Sequence, residues 1–211
     1  MPLRLTEKSR AKTAMGLARA DNLLNDIVIG MIEELSEMVQ DECFREFEKR
    51  ERTDFITSYD QYPSDPVPQF LKVKAWPIDP DAALTVTYSP NDDHDNAAYT
   101  LVLNTDYSVD YDSGTIIIKA SPQLGFRTLP QLAGLAYAYA PRGFKVTYTG
   151  GYAVNDTVSS PPDPLDDDGM IMVPLGLRSF IASKIGADYI AKKQIQQFKP
   201  EEIQALYPYR R

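Results

Sequence analysis

Few residues in this chain are equipped for chemistry. The only histidine, His94, lies in Asn91-Asp92-Asp93-His94-Asp95-Asn96, where an imidazole among carboxylates could hold a metal ion or act as a base. That stretch lacks the Gly at the sixth position and the Glu at the twelfth that a calcium loop of the EF type requires, so it reads as a solvated turn. In Asp166-Asp167-Asp168-Gly169 the carboxylates are consecutive instead of alternating, which reads as a charged linker. The single Cys43 excludes an intramolecular disulfide and falls on or beside the apolar face of a helical pattern, as a small buried residue would. Neither Cys43 nor any serine can be paired with a base, since one histidine in an acidic loop provides no triad. Gly150-Gly151 follows a strand pattern but precedes neither Lys nor a helix, so it is not a phosphate loop. Asn155-Asp156-Thr157 matches a glycosylation acceptor in a chain that opens without an apolar leader. The expectation is a protein with no catalytic residues, no cofactor and no metal.

The elements around these residues are clearer. Residues 144–153, Phe-Lys-Val-Thr-Tyr-Thr-Gly-Gly-Tyr-Ala, alternate apolar with polar side chains and predict the last strand of a small sheet, with Gly150-Gly151 as its exit turn. Upstream, Thr6 can cap a short helix through Met15, which Gly16 ends. Asp21 or Asn22 opens a longer one, with Leu24, Ile27, Val28, Met31, Leu35, Met38, Val39 and Phe47 on one broad face and Glu33, Glu34, Glu37, Asp41, Glu46 and Glu48 elsewhere. Strand patterns follow at 53–59, 70–78, 84–88, 99–103, 107–111 and 115–119, the last two forming a hairpin through Asp112-Ser113-Gly114. Residues 120–142 combine Pro122, Gly125, Pro130, Gly134 and Pro141 with Phe126, Leu129, Leu132, Leu135, Tyr137 and Tyr139, an apolar loop expected to pack on the domain or a neighbour. Residues 173–194 predict an amphipathic helix with Leu177, Phe180, Ile181, Ile185 and Tyr189 on one stripe, Pro174 in its first turn, and Gly176 and Gly186 weakening it or allowing close packing.

This pattern predicts an α+β fold: a long amphipathic helix packed on a small, mainly antiparallel β-sheet or sandwich, followed by a C-terminal helix and an extended tail. The division expected is 1–153 as a helix-plus-sheet body, 154–172 as a Pro/Asp-rich linker, and 173–211 as a C-terminal helix and arm. The net charge of −8 is unevenly spread. Residues 54–168 carry 16 acidic and 6 basic side chains, whereas 178–211 carry 7 basic and 3 acidic. An acidic sheet domain argues against a sequence-reading nucleic-acid protein, whose affinity comes mainly from Lys and Arg on phosphates, but allows one that lets DNA pass. No apolar run is long enough for a membrane span. The last residues, from Phe198 to Arg211, are apolar and basic, and their composition predicts an arm with no body of its own that finds its order on a partner.

The order of several short motifs carries a resemblance. The two N-terminal helices, Cys43-Phe44-Arg45-Glu46-Phe47, Trp76-Pro77, Leu84-Thr85-Val86, Tyr107-Ser108-Val109-Asp110, Ser113-Gly114 and Val146-Thr147-Tyr148-Thr149-Gly150-Gly151-Tyr152 together resemble the head-tail connector, or adaptor, proteins of tailed bacteriophages over residues 5–153. The resemblance implies a structural virion protein of the neck, made in the host bacterial cytoplasm. In that family such a protein forms a homo-oligomeric ring, commonly of twelve copies, under the portal protein. The ring links the capsid vertex to the next neck or tail-terminator protein while double-stranded DNA passes through its channel. On that reading the portal-docking arm uses Phe198, Ile203, Leu206, Tyr207 and Tyr209 as anchors with Arg210 and Arg211 as charge contacts. The inter-subunit candidates are Phe126, Leu129, Leu132, Tyr137 and Tyr139. The alternatives are a neighbouring neck component, such as a stopper or tail-completion protein, and a metal-binding module built on the loops around His94 and Asp168.

Overall fold

A computed structural model describes residues 3–18, 24–56, 70–89, 94–95, 99–119, 143–155, 169–191 and 197–210. The fold is α+β with antiparallel sheets, as the sequence pattern predicts. The chain divides into two compact units, one of residues 1–48 with 152–211 and one of 49–151. The division therefore differs from the one read along the sequence, because residues 1–48 share a unit with the C-terminal helix instead of with the sheets. Most of the expected linker lies outside the described residues.

In the helical unit, α1 spans Lys8–Ala14 and α2 spans Asn25–Cys43. Helix α1 ends as predicted at Gly16, whose φ of 74° is the left-handed conformation that glycine adopts without a Cβ clash. Gly16 N donates to Thr13 O and Leu17 N to Lys12 O, so two terminal carbonyls are satisfied by a Schellman turn. The predicted cap Thr6 has another task. Glu7 occupies the N-cap position, while the Thr6 hydroxyl donates to the Arg178 carbonyl at 3.0 Å. Along α2 the buried residues are Val28, Ile32, Leu35, Ser36, Val39 and Cys43, whereas Ile27, assigned to the apolar face, is 53% exposed. The helix stops at Phe44, which takes a left-handed φ of 52°, and Phe47 is buried beyond it.

The apolar face of α2 shares a core with Leu5 and Ala11 at the N-terminal end, with Leu177, Ile181 and Ile185, and with Leu206 near the chain end. Helix α3, Leu175–Ile190, carries the three middle residues. Gly186 is where α1 meets α3: a Cβ there would lie 2.4 Å from the Ala14 carbonyl oxygen, so this glycine permits the close packing foreseen for it. Glu7 ties the same elements together, with its carboxylate on Arg178 at 2.6 Å and Arg10 at 2.9 Å. A two-stranded ribbon, β8 (Val154–Asn155) with β9 (Met170–Ile171), completes the unit, and Ile171 N donates to Arg4 O.

The β unit contains a four-stranded sheet in the order β1-β7-β3-β4 and a three-stranded sheet in the order β2-β6-β5. These strands are β1 Arg50–Ile56, β2 Phe70–Lys72, β3 Thr85–Tyr88, β4 Tyr99–Thr100, β5 Tyr107–Asp110, β6 Thr115–Ile118 and β7 Phe144–Gly150. One core of Ile56, Val86, Phe144, Val146 and Tyr148 from the first sheet and Leu71, Tyr107, Ile116 and Ile118 from the second is buried between them. Strand β7 buries Phe144, Val146, Tyr148 and Gly150 in strict alternation, and it pairs with both β1 and β3. It is last in sequence order yet internal to its sheet. The β5–β6 hairpin forms as predicted, with Gly114 at φ 67° beneath the Trp76 side chain. The longer predicted strand 70–78 is instead β2, a bend, and an isolated bridge of Ile78 to Gly150. The cis Trp76–Pro77 peptide lies within that bend.

Candidate functional site

The residues singled out for chemistry are kept apart. His94 stands against Phe55, with ring centroids 5.6 Å apart, and its Nδ1 is 3.5 Å from the Thr87 hydroxyl. No group of three or more His, Cys, Asp or Glu side chains able to hold a metal occurs among the described residues. Asp166, Asp167 and Asp168 lie outside them, as do all five inter-subunit candidates, Phe126, Leu129, Leu132, Tyr137 and Tyr139. Cys43 is fully buried as predicted, and burial pushes its thiol up to about 11, against the attraction of Arg45 and Arg210. Such a thiol is neutral and unreactive at physiological pH.

The Gly-Gly pair is a steric requirement of the β unit. A Cβ on Gly150 would lie 2.5 Å from the Ala75 carbonyl oxygen and 2.6 Å from the Tyr148 ring, while Gly151 sits at φ 109°. Tyr148 is the centre of a buried polar network that sequence reading does not find. Its hydroxyl donates to Asp54 Oδ2 at 3.0 Å and accepts from Ala75 N at 2.9 Å, and Lys74 N donates to the same carboxylate oxygen at 2.7 Å. Burial first, and then the Asp54 charge, raise the phenol far above its ordinary value, so it stays a neutral donor. The available signal is parity. Asp54 shares its side of β1 with the buried Ile56, and an acidic residue at an inward position needs partners.

The C-terminal arm departs furthest from expectation. Residues predicted to have no body to fold on form α4, Pro200–Leu206, and a 3₁₀ turn, Tyr207–Tyr209, which return to the helical core. Leu206 is fully buried in the core that also holds Val39, Cys43 and Phe47, and Phe198 and Tyr209 pack against the same cluster. The physical reason is room as well as hydrophobicity. Gly176 leaves open the space filled by the Tyr209 hydroxyl, because a Cβ there would approach it to 2.6 Å. Phe180 and Phe198 rings meet at 6.0 Å. Ile203 is half-buried, Tyr207 is 57% exposed, and Arg211 lies outside the described residues.

Three basic groups of the arm are also paired within the chain. Arg178 pairs with Glu7, Lys184 with Asp188 at 3.2 Å and Glu202 at 3.4 Å, and Arg210 with Glu42. Arg210 Nε also donates to the Glu42 carbonyl at 3.1 Å, and its guanidinium lies 5.0 Å from the Tyr207 ring and 5.8 Å from the Phe44 ring. Arg45 Nη1 donates to the Tyr209 carbonyl at 3.5 Å, and the Arg45 guanidinium stacks over Phe47 and Tyr152. Glu42, Phe44 and Arg45 thus join the arm residues in one cluster at the C-terminal end of α2. Their only sequence signal is the aromatic and basic mixture just past the helical pattern. Across α4 and the 3₁₀ turn Leu206 is the one fully buried side chain, worth about 1.5–3 kcal/mol. The partly exposed ion pairs add at most about 1 kcal/mol each.

Large apolar side chains remain exposed on each unit. On the helical unit these include Ile27, Phe44 (68%), Leu175 and Ile190 (68%); on the β unit they include Phe55, Phe70, Tyr99 and Val102. Phe70 and Ile117 are direct cross-strand neighbours on the outer side of the three-stranded sheet. No helix among the described residues is long and apolar enough to cross a membrane. The chain matches no protein-family model and no curated protein.

Proposed function

We propose that this protein is a structural component of a phage neck: a head-tail connector that forms a ring under the portal, links the capsid vertex to the next neck or tail protein, and lets DNA pass. The observation that carries this reading is the ordered set of motifs over residues 5–153. Supporting it, each unit of the chain presents its own exposed apolar side chains, such as Phe44 and Ile190 on one and Phe55 and Phe70 on the other. Heterologous ring contacts need two non-identical patches per subunit, and large apolar side chains gain most when such a contact covers them. The acidic excess of residues 54–168 suits a protein near passing DNA, because like charge keeps the phosphate backbone from adhering.

The test is the mass of the purified chain alone and mixed with a portal ring, by native mass spectrometry. The chain should join the ring in a fixed multiple. Removing residues 197–211 would also remove Leu206 from the helical core, so it cannot separate docking from folding. Tyr207→Ala is the cleaner variant, since that ring is exposed. It should weaken association about tenfold or more if the arm docks, as aromatic anchors commonly do. Association unchanged by Tyr207→Ala removes the arm from the interface, and failure to join any portal ring removes the connector reading.

A further inference from the structure

We infer that residues 199–210 are a latch, a strap that opens as one piece while the rest of the helical unit stays folded, held shut by Arg210 clamped on Glu42 and uncovering the Cys43 end of α2 when it releases. The contacts of the strap are few and concentrated. Its helix packs on α2, and Leu206 belongs to the same buried core as Val39, Cys43 and Phe47. The remaining turn buries no side chain of its own. Past Leu206, closure depends on Tyr209 in the gap left by Gly176, on Arg45 reaching the Tyr209 carbonyl, and on Arg210. Arg210 alone grips both the side chain and the backbone of Glu42 and is flanked by Phe44 and Tyr207. At the other end of the strap Glu202 meets the buried Lys184, which also holds Asp188.

An element secured by one buried side chain and by ion pairs opens ahead of a core secured by many buried side chains. Because the clamp is partly exposed, screening by salt weakens it, whereas the apolar core beneath is not weakened in this way. Glu42, Arg45 and Arg210 are the charged groups acting on the Cys43 thiol, which places the only cysteine of the chain beside the clamp. The inference does not depend on the chain being a neck protein. It concerns only how this segment is held.

Cys43 supplies the readout. The rate at which the full-length protein reacts with N-ethylmaleimide, a neutral reagent, at fixed pH follows the open fraction when opening and closing are fast. Arg210→Ala should raise this rate about two- to fivefold, with the midpoint of urea unfolding followed at 222 nm almost unchanged. Loss of the Arg210 charge by itself makes the thiol harder to ionise and would slow the reaction, so an electrostatic effect and opening have opposite signs. In the wild type, raising salt from 0.05 to 0.5 M (about these concentrations) should accelerate modification, and this dependence should be smaller in Arg210→Ala, where only the Glu202–Lys184 pair of the strap remains to be screened. The exchange Glu42→Arg with Arg210→Glu should restore the slow rate that Arg210→Glu alone loses. An Arg210→Ala rate equal to or below wild type overturns the latch. So does modification that rises only in parallel with loss of the 222 nm signal, or a wild-type rate insensitive to salt.

Discussion

The two units are held together in different ways. The β unit is closed by consecutive residues 49–151, and its interior is a strand-to-strand core with one hydrogen-bonded network at Tyr148. The helical unit is assembled from both ends of the chain, through a glycine contact between Gly186 and Ala14 and ion pairs that span it, such as Arg178 with Glu7. Contacts of such long sequence separation form only after a large loop is closed, and that loop here contains the whole β unit. The comparison teaches that the helical unit should be the more sensitive to single changes at its seams. The chain carries one native probe for each unit: Trp76, the only tryptophan, lies in the β unit, and the helices among the described residues, which contribute the signal at 222 nm, lie in the other.

The largest effect expected is from Gly186→Val. Its Cβ would overlap the backbone of Ala14, which cannot rotate away as a side chain could, so the helical unit should lose about 3 kcal/mol. Urea unfolding followed at 222 nm should shift to lower denaturant while the Trp76 fluorescence transition stays close to wild type. If the two probes move together, the units are one cooperative body and the comparison fails. Gly150→Ala is the mirror experiment in the β unit, with the Ala75 carbonyl and the Tyr148 ring as obstacles. It should cost about 2 kcal/mol and move the Trp76 transition first.

A smaller effect is expected from Tyr148→Phe, which removes the acceptor of Ala75 N and one of the two donors to Asp54 Oδ2, the other being Lys74 N. The cost should be about 1–2 kcal/mol, again in the Trp76 transition. The pH dependence sharpens the point. The folded phenol titrates above its ordinary value of 10.0, so unfolded chains lose the proton first. The β unit should therefore be stable below about pH 10 and weaken as pH rises beyond it, with a shallower decline in Tyr148→Phe. Tyr88 and Tyr107, whose phenols are also raised by burial, account for the slope that remains.

These differences also explain what could be read in the chain beforehand. The β5–β6 hairpin and the alternation of β7 were legible because turn chemistry and two-residue periodicity are local. The long helix and the C-terminal helix were legible by their own period, but not the partners of their apolar faces, since a stripe states that it is buried and not against what. Ile27 shows this in the negative: it has the right spacing and is exposed. The fold of the arm is not legible because its few apolar residues are too sparse to suggest a core, while the seat for Leu206 and Tyr209 is built from α2 and Gly176, outside the arm's own local pattern. Asp54 with Tyr148 is hidden for the same reason, being a pair 94 residues apart.

The smallest effect tests the seam of the helical unit by charge alone. Burial acts to raise the Glu7 carboxyl, but the Arg10 hydrogen bond and the Arg178 charge together bring it below its ordinary value of 4.5. A carboxylate depressed in the folded state contributes stability above the unfolded value, and that contribution is lost as pH falls through the folded one. The 222 nm transition should thus lose an increment of at most about 1 kcal/mol below pH 4.5. Glu7→Gln should lack that increment at neutral pH and titrate less steeply, with the Trp76 transition the same as in wild type. A Glu7→Gln protein whose Trp76 transition shifts as much as its helical signal would show that this ion pair serves the whole chain. The seam would then no longer belong to one unit, and the contrast between a locally closed β unit and a helical unit closed at a distance would have to be given up.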